Sequence, residues 1–400
     1  MIFDPASDIQ DLQIFGEFGD VNPSITDSST FTFLNPATMQ EIFTHEIEGC
    51  FLYSRHWNPI NKYLCRALAA LESTEAAQVT ASGMSAISST VLQLCNADDE
   101  VISSWTIYGG TYAFLKNFLP KFGIRTHFID LSNADEIDRV LTHKTKIIYT
   151  ESISNPMLEV ADIPRLSKLA NERGITLMID NTFSPLIISP ARWGAHLVVH
   201  SLTKFINGTS DCVAGCICAS QKFIELLTDV NSGATMLLGP VLDSMRSASI
   251  LKNLHSLHIR MQKHSANAMQ VATRLHALGL RVHYPGLPQH KNHELMKKLM
   301  NANMGFGGMV ALDVGSQEVA NALMTKMQEE KIGYLAVSLG YFKTLFSAPS
   351  SSTSSEIPEE LQRKMGLSGG MVRMSVGIDN DIQRSIARME KCLKEVGVVG

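Results

Sequence analysis

Between residues 61 and 220, short β-rich runs alternate with helical periods, and this alternation constrains the fold more than any other feature. The runs are "DEVISSW", "IRTHFIDL", "TKIIYTE", "ITLMIDNT", "AHLVVHSL" and "GCICAS". Helical stretches such as "ADEIDRVLTH" and "IPRLSKLANERG" lie between them. The pattern predicts an α/β fold with a mostly parallel sheet covered by helices. In such sheets ligands gather at the carboxyl ends of the strands. Residues 1–60 are polar, dotted with aromatics and weakly periodic, and read as an N-terminal arm. The sheet domain is placed at 61–256 and a smaller α+β C-terminal domain at 257–400. A long helical pattern, about 241–278, leads into the latter, which carries "GGMVALDVG" and the helices "SQEVANALMTKMQEE" and "IQRSIARMEKCLKEVG". "SAPSSSTSSEIPEE", from Ser347, is of low complexity and reads as a surface loop or linker.

Four hundred residues suffice to bury a large core in two or three domains. A net charge of −5, with basic residues scattered rather than blocked, argues against a nucleic-acid or anionic-membrane surface. "MIFDPASDIQ" lacks the basic and apolar regions of a secretory signal, and no apolar run reaches a membrane span. Seven cysteines, odd in number and sparse, point to a reducing, cytoplasmic compartment. Cys212, Cys216 and Cys218 lie close enough for a metal site, but strand alternation favours buried thiols.

"HSLTKFINGTSD" puts Lys204 straight after an apolar run, with Ser201 and Thr203 just before it. Asp180 leaves "ITLMIDNT" at an equivalent strand exit. A buried carboxylate is costly unless paired. The pair is read either as a salt bridge or as the two anchors of pyridoxal 5'-phosphate (PLP). This cofactor binds a lysine as a Schiff base and wants a carboxylate on its pyridinium nitrogen. Its phosphate needs donors, and "TASGMSAISSTVLQL" sets Ser82, Gly83 and Met84 just ahead of a helical run, where free N–H groups make an anion site. Ser201 and Thr203 add hydroxyls. Tyr108, in "SWTIYGGTYAF", could stack on the cofactor ring. Asn155, in "ESISNP", could bond its phenolic oxygen or be an ordinary turn residue before Pro156.

Taken with "YSRHWNP", "YGGTYAF", "DNTF", "AVSLG" and "VRMSVGID", these motifs resemble the cystathionine γ-synthase/methionine γ-lyase family of PLP enzymes. The resemblance runs from about Ser29 to the final helix and is strongest to the methionine γ-lyases. It implies the type I aminotransferase-like fold. It gives Lys204 the Schiff base, Asp180 the pyridinium nitrogen, Tyr108 the stacked ring and Asn155 the phenolate contact. Gly83, Met84, Ser201 and Thr203 become the phosphate cradle. Tyr53 and Arg55 would reach the phosphate of a neighbouring subunit in a homo-oligomer, a tetramer built from two dimers with shared sites. Arg373 would hold the substrate carboxylate, with Ser338 beside it. Tyr108, its phenol lowered by cationic neighbours, would serve the leaving group as acid and base.

The substrate is read from the departures. His56-Trp57, "SLGYFKTL", Thr209 and "PSSSTSS" differ from the family pattern, and they are expected near the substrate side chain. Relatives that act on cystathionine often carry Glu where this chain has Leu52 and Val337. Two apolar positions disfavour a distant ammonium and favour a thioether methyl. Gly110, by contrast, follows the cystathionine pattern. Lys343 could meet an anionic part of a substrate or simply be solvated. The expected activity is α,γ-elimination from a sulfur amino acid, with methionine giving methanethiol, 2-oxobutanoate and ammonia. Cystathionine lysis, γ-replacement on an acylated homoserine, and a non-catalytic PLP-fold protein are the other readings.

Overall fold

The computed structural model describes residues 3–13, 19–33, 35–43, 47 and 49–400. Its larger sheet has seven strands: β1 Ala76–Thr80, β2 Glu100–Ser104, β3 Arg125–Ile129, β4 Thr145–Glu151, β5 Thr176–Asp180, β6 Leu197–Ser201 and β7 Gly215–Ala219. Their order is β1-β7-β6-β5-β4-β2-β3. The pairs from β3 through β6 are parallel, whereas β7 runs antiparallel to both β6 and β1. All six strands read from the sequence are present. "AAQVT", which became β1, was missed because five residues of mixed polarity carry little periodic signal.

Both faces of the sheet are covered, so its strands are nearly continuous apolar runs. The strand period of two divides them between two cores. Ile148, Ile179, Val198, Cys216 and Cys218 face one side and pack with Leu64 and Leu68 of the helix Pro59–Glu72. Ile147, Tyr149, Met178, Val199 and Ile217 face the other and pack with Ile87 and Val91 of the helix Gly83–Leu94. Cys212, Cys216 and Cys218 are buried free thiols.

A second sheet holds β8 Arg281–His283, β9 Met309–Asp313, β10 Gly333–Leu335, β11 Thr344–Ser347 and β12 Met371–Ser375, in the order β10-β11-β12-β9-β8. The helices Leu257–Ala277, Gln317–Glu329 and Ile382–Glu395 cover one face through Val271, Leu323 and Met389, which meet Val310, Phe346 and Val372. The helical pattern expected over 241–278 is two helices, Ser244–Leu254 and Leu257–Ala277, interrupted at His255-Ser256. In the arm, a helix at Pro5–Gln10 is capped by Asp4 and buries Ala6 in the core. Among the described residues no helix is long and apolar enough to cross a membrane.

The Ser-rich segment is not a solvated linker. Ser347 ends β11, Pro349–Ser351 form a single 3-10 turn, and Ser354 and Ile357 are buried. Gln362 holds the turn by donating to the carbonyls of Ser354 and Ile357. Composition misled here because small hydroxyl residues also suit a tightly packed cap.

Ile148 lies fully buried at the centre of the parallel sheet. Ile148→Ala is expected to lower the stability of the apo-protein by about 2–5 kcal/mol, and Ile148→Val by only about 0.5–1.5 kcal/mol. Urea unfolding of the two variants side by side checks the ranking.

Candidate active site

A cavity of about 270 Å³ opens at the carboxyl ends of β4, β5 and β6. Lys204 reaches it from the turn after β6. That turn is fixed from behind by Arg260, which donates to the carbonyls of Phe205 and Ile206. Lys204 Nζ donates to Ser338 Oγ at 3.1 Å. Burial, with a contribution from the Arg373 charge, lowers the Lys204 ammonium to about 8.

Asp180 ends β5 on the cavity floor. It accepts from the Thr182 amide at 2.9 Å and from the Tyr149 hydroxyl at 3.4 Å. No ion pair joins it to Lys204 or to any other described residue. Burial raises its carboxyl, the Thr182 hydrogen bonds oppose that rise, and the charge of His200 helps them. His200 sits behind the floor, 2.7 Å from Glu72, to which Asn181 also donates. Burial opposes protonation of His200, but the Glu72 carboxylate prevails and its imidazole is raised.

Ser82 caps the helix Gly83–Leu94 in a reciprocal box with Ser85, at 3.0 and 2.9 Å. The box uses the Ser85 amide and leaves those of Gly83 and Met84 to an outside acceptor. Ser201 closes against this turn. A Cβ on Gly83 would lie 2.8 Å from Ser201 Cβ and 3.0 Å from its Cα. Thr203 lines the same pocket, with its hydroxyl already engaged by the backbone of Ala214.

Arg373 projects from β12 of the second sheet and is buried. It donates to Asn155 Oδ1 at 3.0 Å and to Ser347 Oγ at 3.3 Å. Burial lowers its guanidinium to about 10, still charged at neutral pH. Tyr108 begins the short helix Gly109–Ala113, and its ring folds over Gly110. A Cβ at Gly110 would stand 2.5 Å from a ring carbon, so this ring position requires glycine there.

The family described as "Cys/Met metabolism PLP-dependent enzyme" matches residues 9–394. The chain belongs to this family. It is 43% identical to the methionine gamma-lyase of Arabidopsis thaliana, over 97% of this chain and 90% of that one. It is 37% identical to the L-methionine gamma-lyase of Fusobacterium nucleatum subsp. polymorphum, over 95% of each. Among solved structures it is similar to an O-acetylhomoserine (thiol)-lyase of Campylobacter jejuni that carries a pyridoxyl-lysine monophosphate. That likeness has a TM-score of 0.91 at 27% identity and covers 98% of this chain and 100% of that one.

The Cys/Met metabolism enzymes use PLP, and the residues present fit it. A buried carboxylate without a cation suits a pyridinium N–H, a lysine with lowered pKa suits the aldehyde carbon, and a capped helix start suits a phosphate. Of the residues expected from sequence, Ser82, Gly83, Met84, Tyr108, Asn155, Asp180, Ser201, Thr203, Lys204, Val337 and Arg373 all line the one cavity. Ser338 is bonded to Lys204 rather than to Arg373. Leu52, Tyr53 and Arg55 lie outside the cavity of their own subunit, where Tyr53 packs against the Arg55 guanidinium.

Three expectations need correction. The Tyr108 phenol is raised, not lowered: burial is the largest cause, and Glu356 and Glu151 outweigh Arg373. His56, Trp57 and Thr209 do not face the cavity. Trp57 packs on the core beneath Lys62, and Thr209 donates to Asp211. Lys343 lies over the Tyr334 ring, also away from the lining. Of the substituted segments, the Ser-rich one does reach the cavity, through Thr353, whose hydroxyl is 3.5 Å from Arg373. Sequence reasoning missed Thr353 and Glu151. The latter had a usable signal, since it is an acid at a strand exit just as Asp180 is.

Gly83→Ala should still fold but weaken PLP binding by about tenfold or more, because the Ser201 backbone has no room to withdraw. Titration of the apo-protein with PLP, followed by absorbance, measures it.

Proposed function

We propose that this enzyme performs α,γ-elimination on L-methionine, releasing methanethiol, 2-oxobutanoate and ammonia. The observation that carries this reading is the apolar rim, where Val337, Leu339 and Val213 line the cavity. A charged side-chain end would lose hydration there without a partner, whereas a thioether methyl gains about 25 cal/mol per Å² buried. The similarity to proteins named methionine gamma-lyase supports the same choice.

Lys204, Asp180, Tyr108, Asn155 and the Ser82-Gly83-Met84, Ser201 and Thr203 cradle would hold PLP, which when bound supplies an electron sink for charge left at Cα. Arg373 takes the substrate carboxylate in its planar fork, kept in place by Asn155 and Ser347. Ser338 steadies Lys204 Nζ, which is neutral in a large fraction near pH 8 and takes the proton from Cα. The same amine is the base for the Cβ proton whose loss precedes departure of the γ-group. Tyr108, with its phenol raised, keeps its proton at neutral pH and donates it to the leaving sulfur. Asp180 remains anionic against the cofactor nitrogen with the help of His200.

The working unit is proposed to be a homotetramer of two dimers with shared sites, acting in the cytoplasm. Residues 61–256 would form the PLP domain and 257–400 the C-terminal domain. Tyr53 is 41% exposed and Arg55 is also exposed, although both carry polar groups suited to a phosphate. The apolar Leu237, Leu238 and Met245 stand 57–60% exposed, as a face that awaits a covering surface would. Seven free thiols suit a reducing compartment.

Cystathionine is the second reading, favoured by the Glu356 carboxylate beside Gly109 and Tyr108 and by Gly110 itself. A comparison of kcat/KM for the two amino acids in wild type and in Val337→Glu decides between them. Wild type should favour methionine, and the new carboxylate should move the ratio toward cystathionine by about tenfold. A wild-type preference for cystathionine of that size would overturn the reading. Shared sites have their own test: inactive Arg55→Ala and inactive Lys204→Ala subunits, once mixed and exchanged, should regain part of the wild-type rate.

A further inference from the structure

We propose that Glu151 is the positioning residue of this site, a two-pronged acceptor that fixes the Tyr108 loop and the Asn155 loop to the end of one strand. The inference rests on the roles given above to Tyr108, Asn155 and Arg373. Glu151 is the last residue of β4 and is buried. Its Oε1 accepts from the Tyr108 amide at 2.7 Å and its Oε2 from the Asn155 amide at 2.8 Å. One oxygen therefore serves each loop. Asn155 passes the restraint on, since its Oδ1 accepts from Arg373. The aromatic lid and the carboxylate fork, which come from different sheets, share a single anchor.

The anchor is rigid for reasons visible in the strand. Glu151 pairs in register with Asp180 across the parallel β4–β5 ladder, so both carboxyls are set by the same backbone hydrogen bonds. It also forms a wall between two spaces, the active cavity and a second polar cavity of about 220 Å³ lined by Ser104, Thr106 and Ser154. Burial and the Asp180 charge raise its carboxyl well above the ordinary range. A buried acid beside another acid is an unfavourable choice for packing alone, and two backbone donors aimed at its two oxygens give a reason for it. Glutamine cannot replace it, because its amide nitrogen would present a donor to one of the two N–H groups.

The test uses the holoenzyme and its apo form, with hydrogen exchange at the Tyr108 and Asn155 amides. Both should be protected in wild type. In Glu151→Gln one of the two should exchange about tenfold faster or more. That variant should bind PLP within about threefold of wild type, yet lose about ten- to a hundredfold in kcat/KM on the amino acid wild type turns over best. Glu159→Gln, a nearby loss of charge that touches neither amide, should keep the wild-type rate. Glu151→Asp retains both acceptors on a shorter arm, should show the same loosening in milder form, and serves if the glutamine variant does not fold. The proposal is overturned if the wild-type amides exchange like those of a free loop. It is also overturned if they loosen in the variant while kcat and KM stay within about twofold. Amide exchange and PLP titration do not depend on which sulfur amino acid is the substrate, so they stand even if the methionine reading fails.

Discussion

Two carboxyl groups lie side by side where β4 and β5 leave the sheet, and the architecture around the cavity answers to the difficulty of keeping them there. Glu151 and Asp180 are register partners on adjacent parallel strands, so neither can move away from the other without breaking the ladder. Burial raises both, and each needs compensation. Asp180 receives it from the Thr182 amide, the Tyr149 hydroxyl and the charge of His200 behind the floor. Glu151 receives it from two backbone amides and from the Arg373 charge. The difference in compensation separates the two acids: one is left open to a cationic ligand, the other is tied into the protein.

Arg373 links this arrangement to the second sheet. It leaves β12, crosses to Asn155, and is closed over by Ser347 and Thr353. A buried guanidinium is as demanding as a buried carboxylate, and its planar donors satisfy the demand with neutral acceptors on two sides while leaving room for a substrate carboxylate. The second sheet contributes this one charge and, through Ser338, a partner for Lys204. The reacting end of the substrate is thus held between a floor from one sheet and a fork from the other.

Much of this was legible in the sequence, and the division is physical. The strands β2 to β7 were readable because burial on both faces makes them apolar throughout, and Lys204 and Asp180 were readable because a charge at such a strand exit is out of place. The short β1 was not, since five residues such as "AAQVT" have no distinctive period. The ionisation of Tyr108 was not, because it depends on Glu356 and Glu151, which approach only after folding. Thr353 was hidden for a similar reason. Nothing in "PSSSTSS" says which hydroxyl faces inward until Gln362 is seen pinning the turn. Leu52, Tyr53 and Arg55 were recognised by family pattern alone, and their own subunit gives them no cavity to face.

The Ser-rich cap touches both halves of the substrate site at once. The Thr353 carbonyl accepts the amide of Gly109 beside the lid, and its hydroxyl stands at the Arg373 fork. The cofactor floor, by contrast, hangs on strand ends locked into the sheet. A lineage could therefore rewrite residues 349–357 and acquire a new substrate with little disturbance to its cofactor. Divergence in such a fold has a path of least resistance, and it runs through the cap.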